Sequence, residues 1–585
     1  MNKRLICLLL SLIMLLSVCL ASCAKKTDDD ALEDITQEAS ASAVTLSMFL
    51  MSEADVSPEQ EKAIEDAVNR ITQSKFKVKL DLTFISSEEE YYAKLEENLL
   101  KQSENSYLYE EEDSEPVTEK DDLGIETLKY PDIKPNQVDI FYFSGYNKFS
   151  SYVADGYLAM LNEEVDGASK LLKSYVSTAL MSYMKSANDG IYAVPTNRAI
   201  GEYTYLLLNK EVMDTLYYDS SDPNFTSLTC DYVQDILASV STRSDLNSRY
   251  VPLYSYTGEI DVLNYQYWGV DADGYLSNNF SILGGGYDPT WEFGELDCFA
   301  DVKNIFNDPA FKSQIEILNQ YGVNGYYNDA AVENDGKDFA VGYIKGGAEI
   351  PAQFADKYEV VTVATPNIYT YDLYQDLYGV SAYSVSLSRS MEIITYLNTN
   401  VEFRNLLLYG IEGENYELVE SSVVDANGDA YKQVRILNDS YKMDVNKTGN
   451  TFLAYPTVDQ DPRMYEYGKI QNRDVTATLT MGFRLDYDDS VVPVERYHLV
   501  RDVSNRVLAE MMRVGPAGWT ADFLETLRTT VALGNTMDEK LAITHMSGLN
   551  QYDAVTGEVG FNTLYHTWLE DNDMYEEPEM DDENM

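Results

Sequence analysis

The side chains with most chemistry to offer in this chain are its tyrosines, 47 of them against 19 Phe and four Trp. A tyrosine ring presents an apolar face and a hydroxyl tip, a pairing that suits sugar rings and wet interfaces. The same count also fits a habit of composition, so it selects no ligand alone. Hydrolytic and metal chemistry leave no sharp pattern. There is no Gly-x-Ser-x-Gly elbow and no His-Glu-x-x-His run. His498, His545 and His566 lack zinc spacing. Gly284-Gly285-Gly286 is not a phosphate loop, because no Gly-Lys-Ser/Thr follows it. Asp271-Ala272-Asp273-Gly274 half-resembles a calcium loop, but the glutamate such a loop needs is absent from residues 280–283. Its Asp-Gly reads as a hairpin turn. With 98 acidic residues, carboxylate pairs at glycosidase spacing arise by chance. An enzyme reading therefore stays open without a motif to carry it.

The first residues set the compartment. Asn2-Lys3-Arg4 is basic, residues 5–20 are an almost unbroken apolar run, and Leu20-Ala21-Ser22 leads to Cys23. That order is a secretory signal, and its apolar run is short for a membrane span of roughly 20 residues. The cysteine after Leu-Ala-Ser resembles the lipobox of bacterial lipoproteins. The resemblance implies lipidation at Cys23 and a chain anchored to the outer face of the cell membrane. The formal charge of −55, with 43 Lys and Arg, argues against nucleic acid as a partner, because phosphate contacts need clustered cations. Cys230 and Cys298 remain beyond the signal, either as one disulfide or as two buried thiols.

The elements that must position any site follow in order. Residues 25–43 read as a flexible tether. A strand over 44–50, a helix over 59–71 capped by Ser57, a strand over 76–84 and a helix opened by Ser87 make a β-α-β-α start. Such alternation argues for an α/β lobe with a mainly parallel sheet. An acidic, proline-containing insertion at 103–136 interrupts it. Val138-Asp139-Ile140-Phe141-Tyr142-Phe143 resumes as a buried strand ending in Ser144-Gly145-Tyr146, the strand end where open α/β sheets bind ligands. Residues 149–161 and 168–184 read as helices, 190–195 and 203–208 as strands, and 343–347 as a turn. Asp425-Ala426-Asn427-Gly428-Asp429 marks a hairpin. Helices follow over 503–512, 521–531 and 538–545, then an acidic tail.

This ordered set resembles the extracellular solute-binding lipoproteins of ABC importers, carbohydrate type. The residues that carry it are the lipobox, Asp155-Gly156-Tyr157-Leu158, Asp189-Gly190-Ile191-Tyr192-Ala193-Val194-Pro195, and Leu406-Leu407-Leu408-Tyr409-Gly410-Ile411-Glu412-Gly413-Glu414-Asn415-Tyr416. It covers roughly residues 44–456; the acidic insertion, the tail and the stretch from Asp459 onward depart from it. It implies an α/β, two-lobed periplasmic-binding-protein-like fold of type II, with hinge-connected lobes and discontinuous segments. The expected division is a signal peptide (1–22), a lipidated cysteine and tether (23–43), an N-terminal lobe (44–202) and a second lobe (203–364). Residues 365–569 would return to the first lobe and supply C-terminal helices spanning both, and 570–585 would be a disordered tail. The implied partners are a carbohydrate ligand, the permease subunits of the transporter and the membrane; the chain would act as a monomer without a cofactor. The rivals are a cell-surface glycoside hydrolase and a sensor or adhesin lipoprotein. For a sugar clamped between lobes, the candidates at strand ends and crossings are Glu53, Tyr146, Asn197, Arg198, Tyr203, Tyr254, Trp268, Trp291, Tyr343 and Tyr378. Met51 and Ser52 flank the first of them.

Overall fold

The computed structural model describes residues 42–109, 118–120, 126–175, 190–255, 265–267, 269–270, 276–277, 280–286, 303–329, 336–477 and 494–546. Strand β1 (Val44–Met51) is buried along nearly its whole length. Ser57 then caps α1 (Pro58–Phe76), its hydroxyl accepting from the Gln60 amide. Strand β2 (Val78–Ile85) alternates buried and half-buried residues, as a strand covered on one face should. Ser87 caps α2 (Glu88–Glu104) in the same manner. Strand β3 (Ile140–Phe143) is wholly buried. Helix α3 (Tyr146–Ala154) starts immediately beyond it and ends sooner than the sequence reading, at Asp155-Gly156. The reading of a helix over 168–184 meets only a four-residue turn of helix, Leu172–Tyr175, before leaving the described residues. Strand β4 is short (Val194–Pro195).

The second sheet contains β5 (Tyr203–Asn209), β6 (Tyr250–Ser255), β7 (Tyr327–Asp329), β8 (Asp338–Gly346) and β9 (Tyr358–Ala364). Residues 343–346, read from sequence within a turn, form the second half of β8. Two-residue β10 (Asn367–Ile368) precedes β11 (Leu377–Val380). Helices α4 (Leu387–Thr399) and α5 (Val401–Tyr409) follow, then a hairpin of β12 (Tyr416–Val424) and β13 (Ala430–Ile436). Helix α6 (Met464–Asp474) leads to β14 (Thr476–Ala477). The last helices are α7 (Val494–Val514), α8 (Ala521–Thr530) and α9 (Met537–Met546). Among the described residues, no helix is long and apolar enough to cross a membrane.

The two five-stranded sheets define two lobes. The first runs β2-β1-β3-β11-β4, with β1, β2 and β3 parallel and β11 antiparallel to both of its neighbours. The second runs β7-β6-β8-β5-β9, with β5 antiparallel to β8 and β9. One core spans residues from Leu46 to Ala454 and excludes the second sheet. A second joins Leu206, Leu253 and Val341 to Val503, Val507, Met511 and Trp519 of the C-terminal helical region, and a smaller third packs Tyr203, Tyr205, Leu207, Phe339, Ile350 and Tyr358. Burying a side chain of this kind contributes about 1.5–3 kcal/mol each. The Trp519 indole N–H also donates to the Met511 carbonyl (2.9 Å), so its polar edge costs nothing inside.

Carboxylates on the α1–β2 side of the first lobe are pushed upward. For Glu61, Glu65 and Asp81 burial comes first. Repulsion from neighbouring carboxylates adds to it, Glu65 and Asp81 acting on Glu61, and Asp81 and Asp66 on Glu65. A carboxyl whose folded value lies above its unfolded value keeps its proton longer in the folded state. Stability from these groups is therefore present at low pH and falls as pH rises above the unfolded values, 4.5 for Glu and 3.8 for Asp. The melting temperature should be higher near pH ~5 than near pH ~7.5. A calorimetric scan showing a steady rise across that interval would contradict this.

Candidate functional site

The chain passes between the lobes through short segments that lie side by side. The first runs from the end of β4 to the start of β5. The second leaves β9 and passes through β10 toward β11. The third is the end of α6 with β14. Strands β10 and β14 pair in parallel, and the Thr476 amide donates to the Pro366 carbonyl (2.9 Å). Helix α6 ties itself to the first crossing. Gln471 Nε2 donates to the Ile200 and Gly201 carbonyls (3.1 and 2.6 Å), and Asn472 Nδ2 to the Arg198 carbonyl (2.7 Å). The Ile200 amide donates back to Asn472 Oδ1 (2.9 Å), and Tyr203 Oη donates to Asp474 (2.6 Å).

Gly201 is what lets these crossings approach. Its φ is +64°, and a Cβ there would sit 2.7 Å from the Asn367 carbonyl oxygen. Gly156 has a similar φ of +71° but open space around it. Gly156→Ala should cost only the left-handed backbone penalty, about 1–2 kcal/mol. Gly201→Ala should cost clearly more, because Asn367 backbone must also move. Urea denaturation of the two variants measures the difference, and equal losses would remove the role given to this contact.

Because the connection from β4 to β5 is short, the carboxyl edge of the first sheet lies at the crossings. Strand β11 runs the other way, so its start joins that edge, with Leu377 opposite both Phe143 and Pro195. Asp376, just before it, is the hub. Its carbonyl accepts from the Thr196 amide (2.8 Å), and its amide donates to Ser144 Oγ (3.3 Å). Its φ of +55° is uncommon for a non-glycine residue, although Asp is among those that tolerate it. Tyr142 Oη donates to its carboxylate (2.7 Å), and Arg198 Nε lies 3.9 Å from the other oxygen. Burial raises the Asp376 carboxyl above the usual range, while the Tyr142 hydroxyl and the Arg198 and Lys447 charges hold it back. Burial and then the Asp376 charge push the Tyr142 hydroxyl far above the usual phenol value. Arg198 also reaches Gln375 Oε1 (3.1 Å) and Asp372 Oδ1 (3.4 Å).

Lys447 stands over this edge. Its ammonium lies 5.7 Å from the centre of the Tyr142 ring and 3.1 Å from Met51 Sδ. Beside it, the stretch after β1 pairs with the loop after β13. Ser52 bridges Met443, the Glu53 amide donates to the Lys442 carbonyl (3.0 Å), and Lys442 Nζ pairs with Glu53 (2.8 Å). Between this loop, α5 and α6 is a cavity of about 340 Å³, lined among others by Arg198, Tyr409, Val445, Phe452, Met464 and Tyr465. That volume is at the lower end of ordinary ligand pockets, roughly 300–1,000 Å³. Arg198 joins cavity and sheet edge. The arrangement offers aromatic faces, a largely buried carboxylate and two cations. Among the described residues, no group of three His, Cys, Asp or Glu is placed to hold a metal.

Of the residues singled out from sequence, the structure brings Glu53, Tyr146, Asn197 and Arg198 to the first lobe's edge and its crossing. The Tyr146 ring meets Tyr374 edge-on at 5.0 Å. Asn197 is nearly buried, and its carbonyl accepts from both the amide and the hydroxyl of Thr451 (2.9 Å each). Tyr203 stacks on Tyr205 at 5.3 Å at the second lobe's edge, and Tyr254 stacks on Phe339 at 5.5 Å. Tyr343 and Tyr378 are each 1 % exposed, so their rings fill the two cores. Tyr378 Oη is occupied by the Lys447 carbonyl (2.5 Å). Cys23, Trp268 and Trp291 lie outside the described residues, as does Cys298; Cys230 is half-buried with a free thiol. Sequence reasoning missed Asp376, Tyr142 and Lys447. Asp376 lies just before β11 in a left-handed backbone, and the preference for aromatic rings selected the buried Tyr378 beside it.

No family model matches the chain. A carbohydrate ABC transporter substrate-binding protein of Streptococcus pneumoniae serotype 4 is 26% identical over 204 residues, covering 32% of this chain and 40% of that protein. The chain thus matches less than half the length of this curated relative. The crystal structure of the N-glycan transport solute binding protein (NgtS) from Streptococcus pneumoniae superposes with a TM-score of 0.51, at 18% identity, over 90% of this chain and 99% of that one. The chain thus has the two-lobed α/β fold of solved solute-binding proteins, with a carbohydrate-type member as its partial sequence relative.

Proposed function

We propose that this protein is an extracellular solute receptor that captures a sugar or oligosaccharide between its lobes and delivers it to the permease of an ABC importer. The observation that carries the reading is the carboxyl edge of the first sheet, where Asp376, Tyr142, Arg198 and Lys447 converge beside the three crossings. Ligand would draw the lobes together only by its extra affinity for the closed form. Anchoring through a lipid at Cys23, with residues 25–43 as a tether, would keep the receptor near its permease. The partial carbohydrate-type relative supports the choice of sugar over peptide or metal cargo.

The test is a thermal-shift screen of the purified full chain against mono- and oligosaccharides, with calorimetry on the hits. A ligand present at 100 times its Kd should stabilise by about 2.7 kcal/mol. If a glycan is instead cleaved, and cleavage vanishes on replacing one Asp or Glu, the receptor reading fails.

A further inference from the structure

Beside the cavity lies a buried charge that touches no carboxylate. Arg404 on α5 is 0 % exposed. Its Nε donates to the Asn450 carbonyl (3.1 Å) and its Nη2 to the Val445 carbonyl (2.7 Å). Its Nη1 has no hydrogen-bond partner. Among the described residues, no carboxylate forms an ion pair with it. Burial lowers its ionisation to about 10, which leaves it charged at neutral pH. Removing a charge from water without an opposite charge is costly, and an orphaned buried donor calls for an explanation.

Lys447, two residues beyond Val445, repeats the pattern. Its ammonium meets a thioether and a ring face, not a carboxylate. Asp376 lies within the field of Lys447, and Asp444 within that of Arg404, without either pair making an ion-pair contact. Asp372 and Asp376 face Arg198, and Asp444 accepts from the Asn446 amide (2.6 Å) in its own turn. Two cations lacking carboxylate partners therefore flank Val445 and Asn446, both of which line the cavity. This occurs in a chain whose formal charge is −55. A field of that sign opposes anions at long range, so any anion held here must be held by local cations.

We propose that the solute supplies the contacting anion: the cavity and the sheet edge beside it take an acidic oligosaccharide, with a sugar carboxylate seated against Lys447 at that edge and Arg404 acting from behind the Val445 wall. This rests on the receptor reading above and adds the ligand's charge to it. Lys447 touches the carboxylate; Arg404 is a positioning residue that sets the local potential.

The test is calorimetry of the full chain with two matched pairs, trigalacturonate against galactotriose and 3′-sialyllactose against lactose. One acidic member should bind at least about tenfold tighter than its neutral match, a difference of about 1.4 kcal/mol. The two pairs distinguish a uronic from a sialic carboxylate. Lys447→Met should bring the acidic-to-neutral ratio toward one, Lys447→Arg should retain it, and the exposed control Lys62→Met should leave it unchanged. Neutral members binding as tightly as acidic ones, or a ratio untouched by Lys447→Met, would overturn the proposal and leave the receptor reading standing. If no sugar from these pairs or the wider screen binds, both readings fall.

Discussion

Replacing Asp139 by alanine is expected to cost about 4 kcal/mol or more, the largest loss foreseen for any single change, because four donors lose their acceptor at about 1–3 kcal/mol each. Asp139 is 0 % exposed at the amino end of β3. One carboxylate oxygen accepts from the Ser47 amide (2.8 Å) and Gln137 Nε2 (2.6 Å). The other accepts from Ser384 Oγ (2.7 Å) and the Val385 amide (2.8 Å). The group thereby joins β1, the approach to β3 and the turn that enters α4. No cation forms an ion pair with it among the described residues; four dipoles hold it. Burial raises its pKa, and those four hydrogen bonds act against the rise. Asp139→Asn should lose about half as much, since an amide keeps one acceptor and turns an N–H group toward the other pair of donors. Denaturant unfolding monitored by circular dichroism measures both. A loss below about 1 kcal/mol for alanine would mean that water replaces the carboxylate at no cost.

Replacing Asp376 by asparagine should weaken binding of a neutral sugar by about 10–100-fold, the worth of one charged hydrogen bond, and that of an acidic sugar at Lys447 by less, because a neighbouring negative charge is removed with it. Asparagine is the informative choice. It accepts the left-handed backbone at φ +55° as readily as aspartate, whereas alanine would add strain unrelated to the ligand. The change removes the charge that faces Tyr142 and Arg198 while preserving shape. The melting temperature of the free protein should move little, and that of the liganded protein should fall. The measurement is calorimetric titration with whichever sugar the screen identifies. Unchanged affinity for a neutral sugar would place the ligand away from this edge, and a collapse of the free protein would make Asp376 a structural residue.

The first lobe was legible wherever periodicity and caps agreed. Ser57 and Ser87 cap the helices at which they were placed, and β1, β2 and β3 fall on the apolar and alternating runs. The hairpin at Asp425-Ala426-Asn427-Gly428-Asp429 follows from turn chemistry, with Gly428 at φ +89°. Strand β8 was not legible, and residues 343–347 read as a turn. In the sheet Gly342 is required by closeness: a Cβ there would meet Phe339 at 2.6 Å. The site was less legible. Asp376 draws its role from a left-handed backbone and from partners such as Tyr142 and Arg198, far off in sequence, and no local pattern announces either. Lys447 sits in a polar turn that resembles any surface loop until Met51 and Tyr142 arrive from other strands.

The division of the two cores along the chain also sets an order of assembly. The residues of the first core are all present once Ala454 has been made. The second core needs residues from Leu206 through Ile543, so its sheet, complete at Ala364, emerges well before Val503, Val507 and Met511 can finish that core. Domains form largely as units during synthesis, N-terminal first. The first core can therefore close while the second still lacks its C-terminal members. A premature stop within α7 would yield a chain with the first core complete and the second lacking Trp519, Leu524, Leu527 and Ile543, a species for chaperones and proteases to clear.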